Sequence, residues 1–376
     1  MNIMRKKILV AIATLISLTS WAVTMVESQP GKLESLLTDH SITSLKVTGT
    51  IDARDFKFVA DNLLALSEID LSEVTIAAYC NEETAIFGAD NNFAAASIPC
   101  TSFFGKSITS VVLPASVKSI GFAAFAGCDQ LTTIAFPASL DSISGYAFSG
   151  SGLTSVELPA SVKTVGEGTF FYAAQLETTN LPDSLTTVPA FTFAGAEALV
   201  GESIVPATAT EMGDFSFYNA CAMANFAIPK SINRIGTKAM AGMTGLDTIK
   251  AHSDAVPALG DSVWAGIDQP SVKLDLTNMA LAEDFAHAAQ WQHFHILKNY
   301  LLGDVNGDGN LDVADATLLI SYILGENPNP FHLELANIID DGVIDVTDVS
   351  ALINMILSGD QIIIRRTPVT PHTTLR

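Results

Sequence analysis

The sequence is poor in cations, in cysteine and in histidine. Only 19 Lys and Arg stand against 40 Asp and Glu in 376 residues, a formal net charge of -21. Nucleic acid and anionic membrane surfaces both need a basic face that releases counterions, so this balance excludes them as partners. Charged residues make up 16% and hydrophobic residues 48%. That rules out a disordered chain and provides for a large core in two or three units. Four cysteines are too few for a disulfide scaffold of this length. No G-x-S-x-G, H-E-x-x-H, Walker or dinucleotide glycine motif occurs. His287, His293 and His295 form the one histidine cluster. His293 and His295 would share a strand face, as a metal pair does, but they sit where the chain closes a repeat array, and a structural role is expected. The chain therefore reads as non-enzymatic.

Long apolar runs are scarce too. Ile8 to Ser20, 13 residues, follows Arg5, Lys6 and Lys7 and is too short to span a bilayer. Residues 1–22 read as a cleavable secretory signal cut after roughly Ala22. Losing its three cations and no anion would take the net charge from -21 to -24. The expected location is then secreted or cell surface. Cys80 and Cys100 lie in one irregular segment, free to pair or not in an oxidising compartment.

What the sequence has in quantity is repetition. ITSVVLPASVKSIGFAAFAGC, LTTIAFPASLDSISGYAFSG, LTSVELPASVKTVGEGTFFYA and LETTNLPDSLTTVPAFTFAGA begin at Ile108, Leu131, Leu153 and Leu176, with looser copies around Pro206 and Pro229. The prolines fall at 114, 137, 159, 182, 206 and 229, a period of 22 to 24 residues that belongs to leucine-rich-repeat solenoids. Eleven positions after each stands Phe125, Phe148, Phe170, Phe193, Phe217 or Met240. The constant step marks a packed unit and predicts a ladder of large side chains; the variable remainder is surface connection. Cys128 and Cys221 follow as small buried hydrophobes.

Alternating residues before each proline predict a short strand that pairs with its copies. Its outward positions are Ser110, Val112, Thr133, Ala135, Ser155, Glu157, Thr178, Asn180, Glu202, Ile204, Asn225 and Ala227. Among them Ser110, Thr133, Ser155, Glu157, Thr178, Asn180, Glu202 and Asn225 form the candidate ligand-binding face, suited to a protein or a glycan. The same grid also suits a solvated face with no ligand.

From Pro114 to Met240 the chain resembles the BspA-like family of bacterial leucine-rich repeats, whose pattern LxxVxLPxSVxxIGxxAFxxC is nearly spelled out by the copies above. The resemblance implies a secreted or surface adhesin of Bacteroides-type bacteria. It also implies caps over the open ends of the solenoid core. Residues 23–107 resemble an N-terminal cap with divergent first repeats. EDFAHAAQWQHFHIL closes the solenoid of residues 108–297, with Trp291, Phe294 and Ile296 expected over its last rung.

GDVNGDGNLDVADATLLISYIL and ANIIDDGVIDVTDVSALINMIL correspond at an offset of 33, a duplicated loop and helix. In the first copy Asp304, Asn306, Asp308, Asp312 and Asp315 hold loop positions 1, 3, 5, 9 and 12, with Gly309 at 6 and the carbonyl of Asn310 at 7. Hard oxygen ligands around a sharp glycine turn suit Ca2+. The second copy keeps Asn337, Asp341, Asp345 and Asp348, with Val343 at position 7 and Gly342 at 6, but places Ile339 at position 3; a weaker site is expected there. Asp at position 12 and the short entering segment KNYLL resemble type I dockerin. That resemblance covers Gly303 to about Leu357 and implies calcium-dependent folding and docking onto a cohesin-like domain. Residues 303–358 form this module, and residues 359–376 a tail of no assigned role.

The expected fold is an α/β repeat solenoid followed by a small all-α duplicated calcium-loop-helix domain. The expected function is extracellular recognition or adhesion, the solenoid binding a macromolecule and the module tethering it to a cohesin-like partner. The alternative is a structural scaffold or spacer in an extracellular polysaccharide-handling assembly.

Overall fold

The computed structural model describes residues 23–81, 85–87, 91–276 and 281–366. The expected signal segment and residues 367–376 of the tail lie outside them. The chain divides into two compact units, one through Gln269 and one from Pro270.

The first unit is a leucine-rich-repeat-like solenoid with two parallel ladders of short strands. The front ladder joins Thr24–Ser28, Ser44–Ile51, Glu68–Ile76 and Ser110–Val112. It resumes with Ser155–Val156 beside Thr178–Thr179, and again with Asn225–Ile228 beside Thr248–Ala251. These are the strands expected before the prolines, except that Thr133–Phe136 and residues 202–205 form none. Phe136 stands where other repeats have Leu113, Leu158 and Leu181. Those leucines are buried, whereas the larger Phe136 is half exposed, its ring edge-on to Phe148 at 5.6 Å.

A second, side ladder has no counterpart in the sequence-based expectation. It comprises Ser97–Ile98, Ser119–Ile120, Ser142–Ile143 and Thr164–Val165, then Thr187–Val188, Glu211–Met212, Arg234–Ile235 and Ala258–Leu259. Its interruption between Val165 and Thr187 has a chemical cause. In other repeats the residue after the strand donates its N–H to the rung before, Gly121 to Ile98, Gly166 to Ile143 and Gly213 to Val188, each at 2.8 Å. Pro189 holds that position next to Val165 and has no N–H to give.

Between the ladders runs the expected column of rings. Phe103, Phe125, Phe148, Phe170 and Phe193 are fully buried and stack at centroid distances of 5.0, 5.3, 5.9 and 5.7 Å with planes within 15°. Phe217 continues it at 5.2 Å, and Phe56 meets Phe103 edge-on at 6.2 Å. Phe56 comes from the helix Ala53–Asn62, whose N-terminus is held by a reciprocal capping box of Asp52 and Asp55. Buried Asp55 also accepts the N–H of Gly31 at 2.7 Å and of Leu33 at 2.9 Å, which ties the first strand's exit to the helix.

Rungs approach so closely that one glycine has no substitute. A Cβ on Gly166 would lie 2.2 Å from the backbone N of Gly145. Gly166→Ala is therefore expected to destabilise the solenoid by about 2 kcal/mol or more, as overpacking against rigid backbone does. Chemical unfolding followed by far-UV circular dichroism would show it, and an unchanged midpoint would contradict the close approach.

In the second unit Lys273–Leu276 pairs parallel with His295–Leu301, which pairs antiparallel with Ile363–Arg366. Phe285, Trp291 and Phe294 cluster between the first two, with Phe285 and Trp291 edge-to-face at 5.1 Å. Helices Val313–Ile323 and Val346–Ser358 follow their acidic loops. Val305, Ala316, Leu319, Leu335, Val349 and Leu352 make the buried core around them. Tyr300 and Ile364, from the two antiparallel strands, pack onto that core. Within residues 303–358 the described elements are helical; the two strands that pack on their core flank the module, and the first part of the tail supplies one of them. Isoleucines at 363 and 364 supply the propensity, and pairing with His295–Leu301 supplies the partner.

Candidate functional site

Two regions carry chemistry. The first is the pair of acidic loops. Asp304, buried, accepts the N–H groups of Gly307 at 2.8 Å and Asp308 at 3.1 Å on Oδ1, and of Gly309 at 2.9 Å on Oδ2. Gly309 has φ +85°, the turn a position-6 glycine provides. Asn306 Oδ1 accepts from Asp308 N at 2.7 Å, and Asp308 Oδ1 from Asn310 N at 2.8 Å. Asp312 caps its helix through Ala314 N at 2.7 Å. Asp315, fully buried, closes the loop by accepting from Asn306 N at 3.1 Å and Asp312 N at 3.0 Å.

The second loop repeats this closure. Buried Asp348 accepts from Ile338 N at 2.7 Å, Ile339 N at 3.1 Å and Asp345 N at 3.0 Å. Asp345 caps through Thr347 N, and Asp341 Oδ1 accepts from Val343 N at 2.9 Å. Ile339 is half exposed and contributes nothing polar at position 3.

Among the described residues no three His, Cys, Asp or Glu side chains converge as a metal-holding group; the aspartates fold onto backbone donors. Two observations nevertheless fit a cation. Burial pushes the Asp315 carboxyl above the usual carboxylate range, and the charges of Asp304 and Asp312 push it further. A bound cation relieves such repulsion. In the second loop Asn337 Oδ1, at position 1, is buried with no hydrogen-bond partner, an acceptor left with something to bind. The donor set is all oxygen, as Ca2+ requires.

The two helices expose matched apolar residues at the offset of 33. Val313 and Val346 are 71% and 67% exposed, Ile320 and Ile353 43% and 41%, Leu324 and Leu357 75% and 80%. Ile353 and Leu357 thus lie outside the mutual core of the two helices. Leu319 and Leu352 fill the core, and Tyr322 stacks on Phe331 at 4.6 Å.

The second region is the front of the solenoid. Ser110, Thr133, Ser155, Glu157, Thr178, Asn180 and Asn225 are exposed there, and Glu202 is half buried. Four grid positions behave otherwise than expected. Ile204 and Ala227 are buried, Ile204 because no strand forms at 202–205 and the alternation lapses. Asn180 is committed to the fold: its Oδ1 accepts from Leu158 N at 2.7 Å and its Nδ2 donates to Leu158 O at 2.9 Å. Glu202 is paired with Lys250 at 2.9 Å.

Where Thr133–Phe136 leaves the ladder, a groove of about 690 Å³ crosses three rungs, lined by Ile134, Phe136, Glu157, Leu158, Pro159, Asn180, Leu181, Pro182 and Asp183 among others. Asp183 was invisible to the strand-face argument because it follows its proline. The signal available was consensus departure: LPDS stands where three other copies have PAS.

The two cysteines of the repeats differ: Cys221 is half exposed rather than buried as expected, with its Sγ against the carbonyls of Asn219 and Gly242. Cys128 is fully buried, donates to Phe103 O at 3.0 Å, and burial pushes its pKa up to about 12. Native-state labelling with an aromatic disulfide should modify exposed Cys80 within minutes and Cys128 only on unfolding. Rapid native labelling of Cys128 would contradict its burial. His293 and His295 do not share a strand face, since His293 lies in the turn before the strand that begins at His295.

A solenoid of this period followed by paired acidic loop-helix units defines the class: a leucine-rich-repeat protein with a duplicated loop-helix module at its C-terminal end. BspA type leucine rich repeat regions match residues 96–201 and 170–280 in six copies, and a dockerin type I domain matches residues 302–357. The chain is a BspA-type leucine-rich-repeat protein carrying a dockerin type I domain. No curated protein matches it. Similar solved structures include a leucine-rich repeat protein from Bacteroides ovatus, 21% identical over 67% of this chain and 63% of that one, TM-score 0.47. A leucine rich cell surface protein from Faecalibacterium prausnitzii is 22% identical over 62% and 80%, TM-score 0.34. The pneumococcal vaccine antigen PcpA is 17% identical over 70% and 81%, TM-score 0.29. The chain thus spans less than two thirds of the length of the Bacteroides ovatus protein. Neither matching family is catalytic. No described helix is long and apolar enough to cross a membrane.

Proposed function

We propose that this chain is a non-catalytic extracellular or cell-surface recognition protein: its solenoid binds a protein or glycan through the front face, and its dockerin domain tethers it to a cohesin-like partner. The observation that carries the tether is the matched apolar set on the two helices, Val313 with Val346 and Leu324 with Leu357, left outside the core by both. Large apolar residues left exposed at matched positions of two helices suit an interaction surface. Calcium, held by Asp304, Asn306, Asp308, the Asn310 carbonyl, Asp312 and Asp315, would neutralise the first loop and hold its helix in place. Asn337, Asp341, the Val343 carbonyl, Asp345 and Asp348 would form the weaker second site. Ser110, Thr133, Ser155, Glu157, Thr178 and Asn225 offer side chains to a ligand, while Asn180 and Glu202 mainly shape the face.

A panel of recombinant cohesin domains tests the tether. At least one should bind the full chain in calcium, and chelation or the pair Leu324→Asp and Leu357→Asp should weaken it by about 100-fold or more, the loss expected of central apolar anchors. Binding indifferent to both treatments would sink the reading.

A further inference from the structure

The groove on the solenoid front has a composition that selects its occupant. Its side walls are aliphatic and proline: Ile134, Leu158, Pro159, Leu181 and Pro182. Its polar side chains are Glu157, Asp183 and Asn180. Asn180 is held in place by the Leu158 backbone, its Oδ1 accepting one hydrogen bond at 2.7 Å and its Nδ2 donating one at 2.9 Å, which leaves one amide N–H. The other two are exposed carboxylates, and neither has a basic partner among the described residues. No Lys, Arg, His, Tyr or Trp lines the groove, so it has no side-chain cation for an anionic ligand and a single side-chain N–H, the second one of the Asn180 amide, to donate. Sugars are held by aromatic faces and a mixture of donors and acceptors. Here the one ring, Phe136, is half buried and edge-on to Phe148. A cation flanked by apolar groups matches the lining, and the net charge of -21 attracts it from a distance.

Both carboxylates are departures from the repeat. Glu157 stands where its neighbours have Val112 and Ala135, and Asp183 where they have Ala115, Ala138 and Ala160. They fall on adjacent rungs, at the place where Thr133–Phe136 has left both strand ladders and its main chain has no strand partner. A main chain of that kind is where an extended segment gains hydrogen bonds. The volume of about 690 Å³ is that of a small-ligand site and takes a few residues rather than a whole domain.

We propose that this groove binds an extended peptide segment of a partner protein that carries a lysine or arginine between apolar residues, its cation facing Glu157 and Asp183. The inference rests on the reading of the solenoid front as a recognition face and names the chemistry of its ligand.

The test uses the full chain in calcium and a fluorescein-labelled, end-capped pentapeptide with a central arginine between leucines and valines. Its citrulline analogue keeps the shape and removes the charge; its glutamate analogue reverses it. Fluorescence anisotropy should show saturable binding of the arginine peptide, weakened about tenfold or more by citrulline, by the double variant Glu157→Gln with Asp183→Asn, and by raising the salt. The glutamate analogue should not bind. Both substitutions are at exposed positions and nearly isosteric, so an unchanged melting curve should accompany the loss. Equal binding of arginine and citrulline peptides, indifference to the double variant, or no binding of the arginine peptide at millimolar concentration would overturn the proposal. Selective retention of a neutral glycan by the double variant would overturn it too. The broader reading fails separately: if Ser155→Lys with Thr178→Lys abolishes capture of a macromolecular ligand while the double variant does not, the recognition face stands and the peptide proposal falls.

Discussion

Asp304→Ala should abolish most calcium-induced helicity of the dockerin domain and weaken the dominant calcium site by more than about 100-fold, since even outer-shell partners of a metal are worth about 10- to 100-fold. The substitution removes a position-1 ligand. It also strands the N–H groups of Gly307 and Gly309 and leaves that of Asp308 with Asn306 Oδ1 alone. At a calcium concentration a hundred times Kd, binding adds about 2.7 kcal/mol to the folded state, a large share of what so small a core supplies. Asp341→Ala loses a single backbone contact, from Val343 N, and should matter less. Ile339→Asn supplies the missing position-3 oxygen beside the buried, unpartnered Asn337 Oδ1 and should raise a second site of comparable strength. Isothermal titration of the full chain separates these cases. Full helicity without calcium, or a larger loss from Asp341→Ala than from Asp304→Ala, would refute the assignment of the first loop.

The second large effect is expected in the ring column. Phe148→Ala should destabilise the solenoid by about 3 to 5 kcal/mol, the cost of emptying a large buried site. Phe148 stacks on Phe125 at 5.3 Å and Phe170 at 5.9 Å and takes the edge of Phe136, so no neighbour is free to fill the cavity. Thr133→Ala, exposed on the front, should cost under about 0.5 kcal/mol. Urea unfolding of the two variants compares them directly, and equal midpoints would contradict the burial of the column. Asn180 does not belong with Thr133 in this comparison, although both are outward grid positions. Its amide stands in for a strand neighbour at Leu158, and its loss should be felt by the fold.

The column and the acidic loops were legible because each repeats within a short stretch of chain. A step of eleven residues from proline to phenylalanine is a local constant, and stacking copies of one rung turns it into a column whatever the connections do. The loop aspartates, caps and position-6 glycine likewise lie within twelve residues, where spacing alone dictates the turn. Relations between rungs were of another kind. The side ladder depends on N–H groups meeting carbonyls one repeat away, and its interruption at Pro189 emerges only when Val165 is seen opposite. The groove exists because Phe136 is too large for its slot, Thr133–Phe136 leaves the ladder, and Asp183 comes to share the space with Glu157. The strand Ile363–Arg366 finds its partner in His295–Leu301, across two helices and both loops. No local pattern encodes that pairing, since a short apolar run is equally at home as a strand, a linker or a frayed end until a strand with open hydrogen bonds lies beside it.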